Sequence, residues 1–278
     1  MRLILQLFIL LSFMSLGQNP MSYYAPLNSD LLESIKSATA SKDPVYKLSI
    51  DNQLIESKDF IKLFRLNQLE ALALKRNQLD SLPSGLSQLQ KLRYFQSNNP
   101  LQTFPIELGN CINLEKIVLI NSAINSIPGN LFLNPSIKHI EIHSNPDSLS
   151  IKIPNTGKTS LSSILLFSTP ILEIDLNNKV IDINIIKCYI NGRELWFKDL
   201  NKVKNLDLSY NQIESFDIFK SFENLQTLNL SNNQLKACPE FVAKIGQLKT
   251  LDLRGNPIPK HEIDILKILM PQCQILMD

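Results

Sequence analysis

An eleven-residue pattern recurs along most of this 278-residue chain and constrains its fold more than any other feature. The pattern has aliphatic residues at places one, four, six and eleven and asparagine at place nine, and it returns about every 22 to 24 residues. The clearest copies begin at Leu69, Val203, Leu225 and Leu248. A period of this length is typical of a solenoid, in which each repeat forms one turn of the coil.

Weaker copies of the pattern fill the gaps between the clear ones. The copy from Leu92 is one residue short, and three others place Ser122, Thr169 or Cys188 where asparagine is expected. Together the copies predict about ten turns. These turns are predicted to start near residues 45, 69, 92, 114, 137, 161, 180, 203, 225 and 248.

Each place in the pattern has a physical role. The aliphatic places point inward and stack on the same places of neighbouring turns, while the two-residue step from place four to place six predicts a strand. Places three, five and seven of that strand then face outward. The asparagine side chain is short enough to turn the chain and to bond backbone groups inside the coil. The predicted internal asparagines are Asn77, Asn99, Asn145, Asn211, Asn233 and Asn256.

A second pattern follows several of the strands. An apolar residue and a proline recur at one offset, and proline cannot donate a hydrogen bond inside a sheet. These segments are therefore predicted to be convex returns made of short helical turns or irregular structure, so that every strand re-enters in the same direction. The pairs are Leu82–Pro83, Phe104–Pro105, Ile127–Pro128, Ile153–Pro154 and Cys238–Pro239.

The two ends of the pattern predict caps. Residues 18–44 are interpreted as an N-terminal capping segment with a helix over 28–40, and residues 45–258 as the repeats. Residues 259–278 are interpreted as a C-terminal cap, with a helix over Lys260–Met270 and a short closing strand after it.

The first seventeen residues have the order of a secretory signal peptide. Arg2 precedes the apolar run Leu3–Leu11, and Ser15-Leu16-Gly17 supplies small residues at a cleavage site. A membrane anchor is the alternative, but the run is shorter than the ~20 residues that a span needs. We expect residues 1–17 to be removed, no transmembrane segment after removal, and a mature protein that is periplasmic, on the cell surface or extracellular.

With these features the chain resembles bacterial exported leucine-rich repeat proteins over residues 28–278. Asp43–Leu48 is similar to the entry into the first repeat of that group, and Leu253–Ile258 followed by Met270–Cys273 is similar to its closing cap. The resemblance implies an α/β solenoid, a right-handed superhelix with a parallel sheet on its concave face. It also implies that the protein binds a protein partner through that face. Because the sequence holds no convincing catalytic motif, we expect that the protein is not an enzyme.

Charge, motifs and cysteine positions exclude several classes of function and partner. The formal net charge is only +2 and charges of both signs are dispersed, which argues against a nucleic-acid partner. The chain has no catalytic motif and no cofactor motif. No disulfides are expected, because the four cysteines fall in separate turns and most would be too far apart to bond. They are Cys111, Cys188, Cys238 and Cys273.

Outward places of the central turns are unusually apolar, whereas those of the C-terminal turns are polar. Contiguous exposed apolar residues often mark an interaction site, so we predict partner binding here. The alternatives are that a loop, such as 146–160, shields these residues, or that they reflect strand propensity. The predicted partner-binding residues are Val118, Ile120, His139, Glu141, His143, Leu165, Phe167 and Ile186.

Two further functions stay open. The first is a structural role as a self-assembling envelope scaffold. The second is a metal-dependent site at His139, Glu141 and His143. The two histidines are four residues apart, about 13 Å along a strand, so they cannot both bind one metal, and the neighbouring turns offer poor ligands. We therefore predict no metal and no cofactor.

Overall fold

The structure is a computed structural model that describes residues 20–26, 29–152, 159–176, 180–191, 195–197, 201–215, 222–238 and 240–278. The predicted signal peptide, residues 1–17, lies outside the described residues. The helices are α1 Pro20–Tyr24, α2 Ile35–Ala40, α3 Ser57–Leu63 and α4 Lys260–Leu269, with 3₁₀ helices at Ser84–Gln88, Ile106–Asn110, Gly129–Leu133 and Glu240–Lys244. The strands are β1 Leu31–Leu32, β2 Lys47–Asp51, β3 Ala71–Lys75, β4 Tyr94–Asn98, β5 Lys116–Ile120, β6 His139–His143, β7 Leu149–Lys152, β8 Ser163–Phe167, β9 Ile171–Leu176, β10 Asp182–Ile186, β11 Leu195–Phe197, β12 Asn205–Asp207, β13 Thr227–Asn229, β14 Thr250–Asp252 and β15 Gln274–Leu276.

A single parallel sheet of 12 strands runs the length of the described chain in the order β1-β2-β3-β4-β5-β6-β8-β10-β12-β13-β14-β15. Strands β1 and β15 close its two ends. Each of the other ten begins two residues after the predicted start of one turn, so the predicted solenoid and its register are confirmed.

The core lies between this sheet and the return segments. The aliphatic places of successive turns stack on one another, as Leu72, Phe95, Ile117 and Ile140 do at place four. All of these side chains are fully buried. Burial of each apolar side chain stabilises the fold by roughly 1.5–3 kcal/mol, so the repeats hold one another in place through a continuous core.

The asparagine side chains connect each turn to the one before it. The Asn211 amide oxygen accepts from the backbone N–H of Cys188 at 2.9 Å, and its amide nitrogen donates to the carbonyl oxygen of Ile185 at 2.6 Å. The side chains of Asn77, Asn99, Asn145, Asn233 and Asn256 likewise donate to backbone carbonyls of the preceding turn. These bonds satisfy backbone groups that the coil removes from water.

Place eight of the repeat has left-handed backbone in every turn but the third. The third turn, which starts at Leu92, is the copy that is one residue short. For most residues, left-handed backbone lowers stability by roughly 1 kcal/mol. The chain therefore changes direction before the asparagine at the cost of local backbone strain. The left-handed residues at place eight are Asn52, Arg76, Asn121, Ser144, Ser168, Lys187, Tyr210, Asn232 and Gly255.

The return segments follow the prediction only in part. Short 3₁₀ helices begin after Pro83, Pro105 and Pro128, as predicted. In the fifth to seventh turns the prediction is wrong, because β7, β9 and β11 form a second parallel sheet of 3 strands. Alternating apolar residues such as Leu149 and Ile151 point into the core there and favour extended backbone. The pair Ile153–Pro154 and Pro239 lie outside the described residues.

The N-terminal cap differs from the predicted helix over 28–40. Leu31–Leu32 form β1, which pairs with β2, and the helix begins only at Ile35. Ser34 caps it by accepting from the Ser37 backbone N–H. Because β1 has only 2 residues, the sheet ends here in a short edge strand that exposes few unpaired backbone groups. At the other end, α4 and β15 occupy the predicted places of the closing helix and strand.

Candidate functional site

The parallel register aligns the predicted partner-binding residues in rows across four strands. At place seven, Ile120, His143, Phe167 and Ile186 lie side by side, each paired with the next. At place five, Val118, Glu141 and Leu165 are neighbours in the same way, followed by Asn184. Adjacent strands are about 4.8 Å apart, so these residues form one contiguous surface on the concave face.

Not all of this surface is accessible. Val118 is fully buried, with 0% of its surface exposed, and His143 is buried as well. Val118 therefore cannot touch a partner in this structure, and its inclusion in the predicted binding surface is wrong. The remaining residues keep part of their side chain exposed, and we call them the central concave patch: Ile120, His139, Glu141, Leu165, Phe167 and Ile186.

The chain's own N-terminal segment covers Val118. Met21, Tyr24 and Ala25 pack on the concave face against Ala71, Ala73, Tyr94 and Val118 as a second apolar cluster, separate from the main core. Shielding, one of the predicted alternatives, applies to Val118, and the described residues that provide it belong to the N-terminal segment, whereas the loop suggested for this role was 146–160. Of that loop, residues 153–158 lie outside the described residues.

Two specific contacts hold this segment. The rings of Tyr24 and Tyr94 stack with centroids 5.2 Å apart, and the Arg93 guanidinium donates to the Tyr24 carbonyl oxygen at 3.3 Å. Burial, with the nearby carboxylates of Glu115 and Glu141, raises the pKa of Tyr24 to about 12. The phenol is therefore neutral across the physiological pH range.

A charged row at place two borders the same segment, and the sequence interpretation missed it. Arg93 pairs with Glu115 at 2.7 Å and lies 3.8 Å from Glu70, and Lys138 pairs with Glu115 at 2.9 Å. The signal was present, since the sign of the charge alternates from turn to turn. Paired charges fix the Arg93 guanidinium that contacts Tyr24.

The acidic residue of the patch is already paired. Lys116 Nζ lies 2.6 Å from the Glu141 carboxylate, and His143 Nε2 lies 3.7 Å from its other oxygen. Burial raises the pKa of Glu141, but the His143 imidazole and the Lys116 ammonium outweigh burial and hold it below its ordinary value. For His139, burial and the Lys116 ammonium lower the pKa, so the imidazole stays neutral at pH 7.

The pairing of Glu141 with Lys116 is relevant to the alternative of a metal-dependent site at His139, Glu141 and His143. Among the described residues, no group of three or more histidine, cysteine, aspartate and glutamate side chains is placed to hold a metal ion. The Glu141 carboxylate, the anionic ligand of the strip, faces the Lys116 ammonium. A cation beside that ammonium is disfavoured by charge repulsion.

In the C-terminal turns, outward polar residues bond to one another. Asn205 donates to the Asp182 carboxylate, Asn229 donates to Asp207 at 2.9 Å, and Arg254 pairs with Asp252. Burial raises the pKa of Asp207. Because these side chains already have partners, the surface they form has less capacity for new hydrogen bonds than its composition suggests.

No helix in the described residues combines the length and hydropathy needed to cross a membrane. The four cysteines are free thiols, and Cys111 and Cys188 are buried. Burial raises the pKa of both thiols to about 12, so they behave as small apolar core residues.

Comparison with known proteins agrees with this architecture. Residues 201–243 and 223–267 match the family profile described as Leucine Rich repeats (2 copies). An adenylate cyclase of Podospora anserina is 28% identical over 75% of this chain, but the match covers 10% of the cyclase. The Transforming growth factor beta activator LRRC33 of Danio rerio is 24% identical over 92% of this chain and 33% of its own length. The chain thus spans a third or less of these relatives.

A solved structure shows the same fold. The leucine-rich repeat domain of the type III effector XCV3220 (XopL) superposes with a TM-score of 0.64 at 17% identity, covering 95% of this chain and 97% of that domain. The fold defined here is therefore a leucine-rich repeat solenoid, of the class that typically serves protein–protein interaction. In the part of the chain that the structure describes, ten strands between β1 and β15 mark ten turns, and the N-terminal segment lies on the concave face.

Proposed function

We propose that this protein is an exported, non-enzymatic binding protein that recognises a protein partner through the central concave patch. One observation carries the proposal: the patch is the part of the concave face that stays both apolar and partly exposed. Toward the N-terminus the apolar outward residues are covered by Met21 and Tyr24, and toward the C-terminus the outward residues are polar and bonded to one another. The fold itself does not require apolar residues at Leu165 or Phe167.

The chemistry of the patch fits a protein surface. Phe167 lies in the place-seven row between His143, whose ring centroid is 6.2 Å away, and Ile186. The polar residues Asp182 and Asn184 precede Ile186 on the same strand and pair with Ser163 and Leu165. An aromatic anchor with a polar rim is the composition expected at the middle of a protein interface. The adenylate cyclase match covers so little of that enzyme that it supports a shared repeat region rather than a shared activity.

Phe167→Ala tests the patch. The protein, beginning at Gln18, is used to capture partners from the native envelope, and the captured partner is then purified and titrated. We expect Phe167→Ala to weaken binding at least tenfold, because truncating an interface anchor typically costs about 2 kcal/mol or more. The midpoint of thermal unfolding should change little, since Phe167 lies on an outward place and is only half-buried.

The matched control is Leu172→Ala. Leu172 is an exposed apolar residue, 65% accessible, on the second sheet and away from the concave face. It should leave partner affinity unchanged. Equal affinities for wild type and Phe167→Ala, with both folded, contradict the proposal.

Export is a separate part of the proposal with its own measurement. The order of charged, apolar and small residues in 1–17 supports it. In the native host, N-terminal sequencing or intact mass of the protein outside the cytoplasm is expected to give Gln18 as the first residue. Recovery of the chain with Met1 retained contradicts signal cleavage.

A self-assembling scaffold is the second candidate, and one observation favours it. Helix α4 exposes Ile265, Ile268 and Leu269 on one face, next to the terminal strand β15. An exposed apolar face beside an open sheet edge is a possible self-association site. Light scattering of the pure protein at rising concentration tests it: growth in mass that Ile268→Asp abolishes favours the scaffold, and a constant monomer mass excludes it.

A further inference from the structure

The contact between α1 and the concave face is built from complementary residues. Met21 is 1% exposed and Tyr24 is 8% exposed, and beneath them Ala71, Ala73 and Tyr94 are equally buried. Two alanines in adjacent outward places of β3 leave a shallow depression, and Tyr94 in β4 forms its wall. Tyr24 stacks on that wall, 25° from parallel.

The leucine-rich repeat does not require this composition at outward places. The same places in β12 and β13 hold Asn205, Asp207 and Asn229. Small and aromatic residues occur together where α1 lies, and the polar contact from Arg93 is directed at a backbone carbonyl of the segment. This surface is therefore complementary to a helical peptide with two apolar side chains three residues apart, as Met21 and Tyr24 are on one turn of helix.

We propose that the second to fourth turns form a docking groove for a short segment that presents a methionine and, three residues later, a tyrosine, and that the chain's own residues Pro20–Pro26 occupy this groove in cis. The segment is short and α1 has only 5 residues, so its contacts with the groove hold it in place and the helix has little stability of its own. The occupant exchanges locally while the solenoid stays folded. The same groove then accepts an identical segment supplied in trans.

The proposal does not depend on the partner of the central concave patch. The two surfaces meet at Ile120, which packs on the edge of the α1 cluster. The groove is tested with a peptide of this chain's own sequence, so the result is independent of whether Phe167 binds anything.

The experiment measures binding of a fluorescently labelled peptide with the sequence of residues 18–30. The receptor is the full chain from Gln18, either wild type or with Met21→Ser and Tyr24→Ala, which release the cis segment. In the wild type the tethered segment competes at an effective concentration on the order of millimolar. We expect the labelled peptide to bind the double variant at least tenfold more tightly than the wild type.

Tyr23 supplies the matched control. It is adjacent to Tyr24 but 78% exposed, so a chain with Tyr23→Ala should resist the labelled peptide as the wild type does. The same peptide carrying Tyr24→Ala should lose at least tenfold in affinity for the double variant. If the folded double variant does not bind the peptide, or binds both peptides equally, the proposal is overturned.

A second measurement needs no substitution and covers the case in which the double variant fails to fold. Nitration of the wild-type chain, mapped by mass spectrometry, compares Tyr23 with Tyr24. Burial raises the pKa of Tyr24 to about 12, and the ring is stacked on Tyr94. We expect Tyr24 to react at least tenfold more slowly than Tyr23, whereas equal rates overturn occupation of the groove in cis.

Discussion

Replacing Asn211 with leucine is expected to lower the free energy of unfolding by about 3 kcal/mol. The Asn211 amide accepts from the Cys188 backbone N–H and donates to the carbonyls of Ile185 and Leu208, all inside the coil. Leucine keeps the size but leaves these buried groups unpaired, at about 1–3 kcal/mol for each. Denaturant unfolding at pH 7 measures the difference.

The matched control is Asn67→Leu, since Asn67 is exposed in the connection after α3. It should change the free energy of unfolding by less than about 0.5 kcal/mol. Asn229 also lies on an outward place of its strand, but it is unsuitable as a control. Its side chain bonds both Asp207 and the backbone of Ser231. Equal midpoints for Asn211→Leu and Asn67→Leu contradict a supporting role for the internal amide.

Lys116→Met is expected to lower the free energy of unfolding at pH 7 by about 2 kcal/mol. Removal of one partner of a fully buried ion pair costs ~3–5 kcal/mol. The Lys116 and Glu141 side chains retain 20% and 15% exposure, so a smaller loss is expected. The lost partner leaves the Glu141 carboxylate charged in a site where burial raises its pKa. Loss of stability should therefore depend on pH.

The dependence of stability on pH is expected to change in the variant, because Lys116 is one of the groups that lower the pKa of Glu141. In the wild type the pKa of Glu141 is lowered on folding, so its contribution to stability is present above the unfolded pKa of about 4.3 and is lost as pH falls through the folded pKa. In Lys116→Met the ammonium that lowers the pKa of Glu141 is absent. Burial then raises this pKa relative to its value in the wild type. We expect the deficit relative to wild type to shrink as pH falls from 7 toward 4.

Two variants make this prediction specific. Lys116→Met combined with Glu141→Gln removes the charge and should recover most of the lost stability. Lys152→Met breaks a pair with Glu173 whose lysine is 64% exposed, and it should cost less than about 1 kcal/mol. A deficit in Lys116→Met that is constant from pH 7 to 4 indicates lost packing instead of an uncompensated charge.

The sequence by itself determined the repeats of this protein. The spacing of Leu69, Leu72 and Leu74, repeated along the chain, specified the strand positions and the parallel sheet, because each turn buries its aliphatic places only against its neighbours. The same local logic located the asparagines and the closing helix Lys260–Leu269. These features depend on contacts between equivalent places of adjacent turns. Such contacts can be predicted from a periodic sequence, because the repeat shows which residues are equivalent.

Contacts with residues outside the repeat pattern became known only from the tertiary structure. Nothing in the sequence around Met21 and Tyr24 states that they lie on Ala73, Tyr94 and Val118, since those contacts join a short segment to strands far along the chain. The apolar outward place of Val118 therefore looked accessible, although it is covered. The second sheet and the Lys116–Glu141 pair join adjacent turns, but their residues do not recur in every repeat, so the repeat pattern did not predict them. The repeat pattern determines whether a side chain points inward or outward. Its exposure and its pKa depend instead on which other residues of the folded chain pack against it.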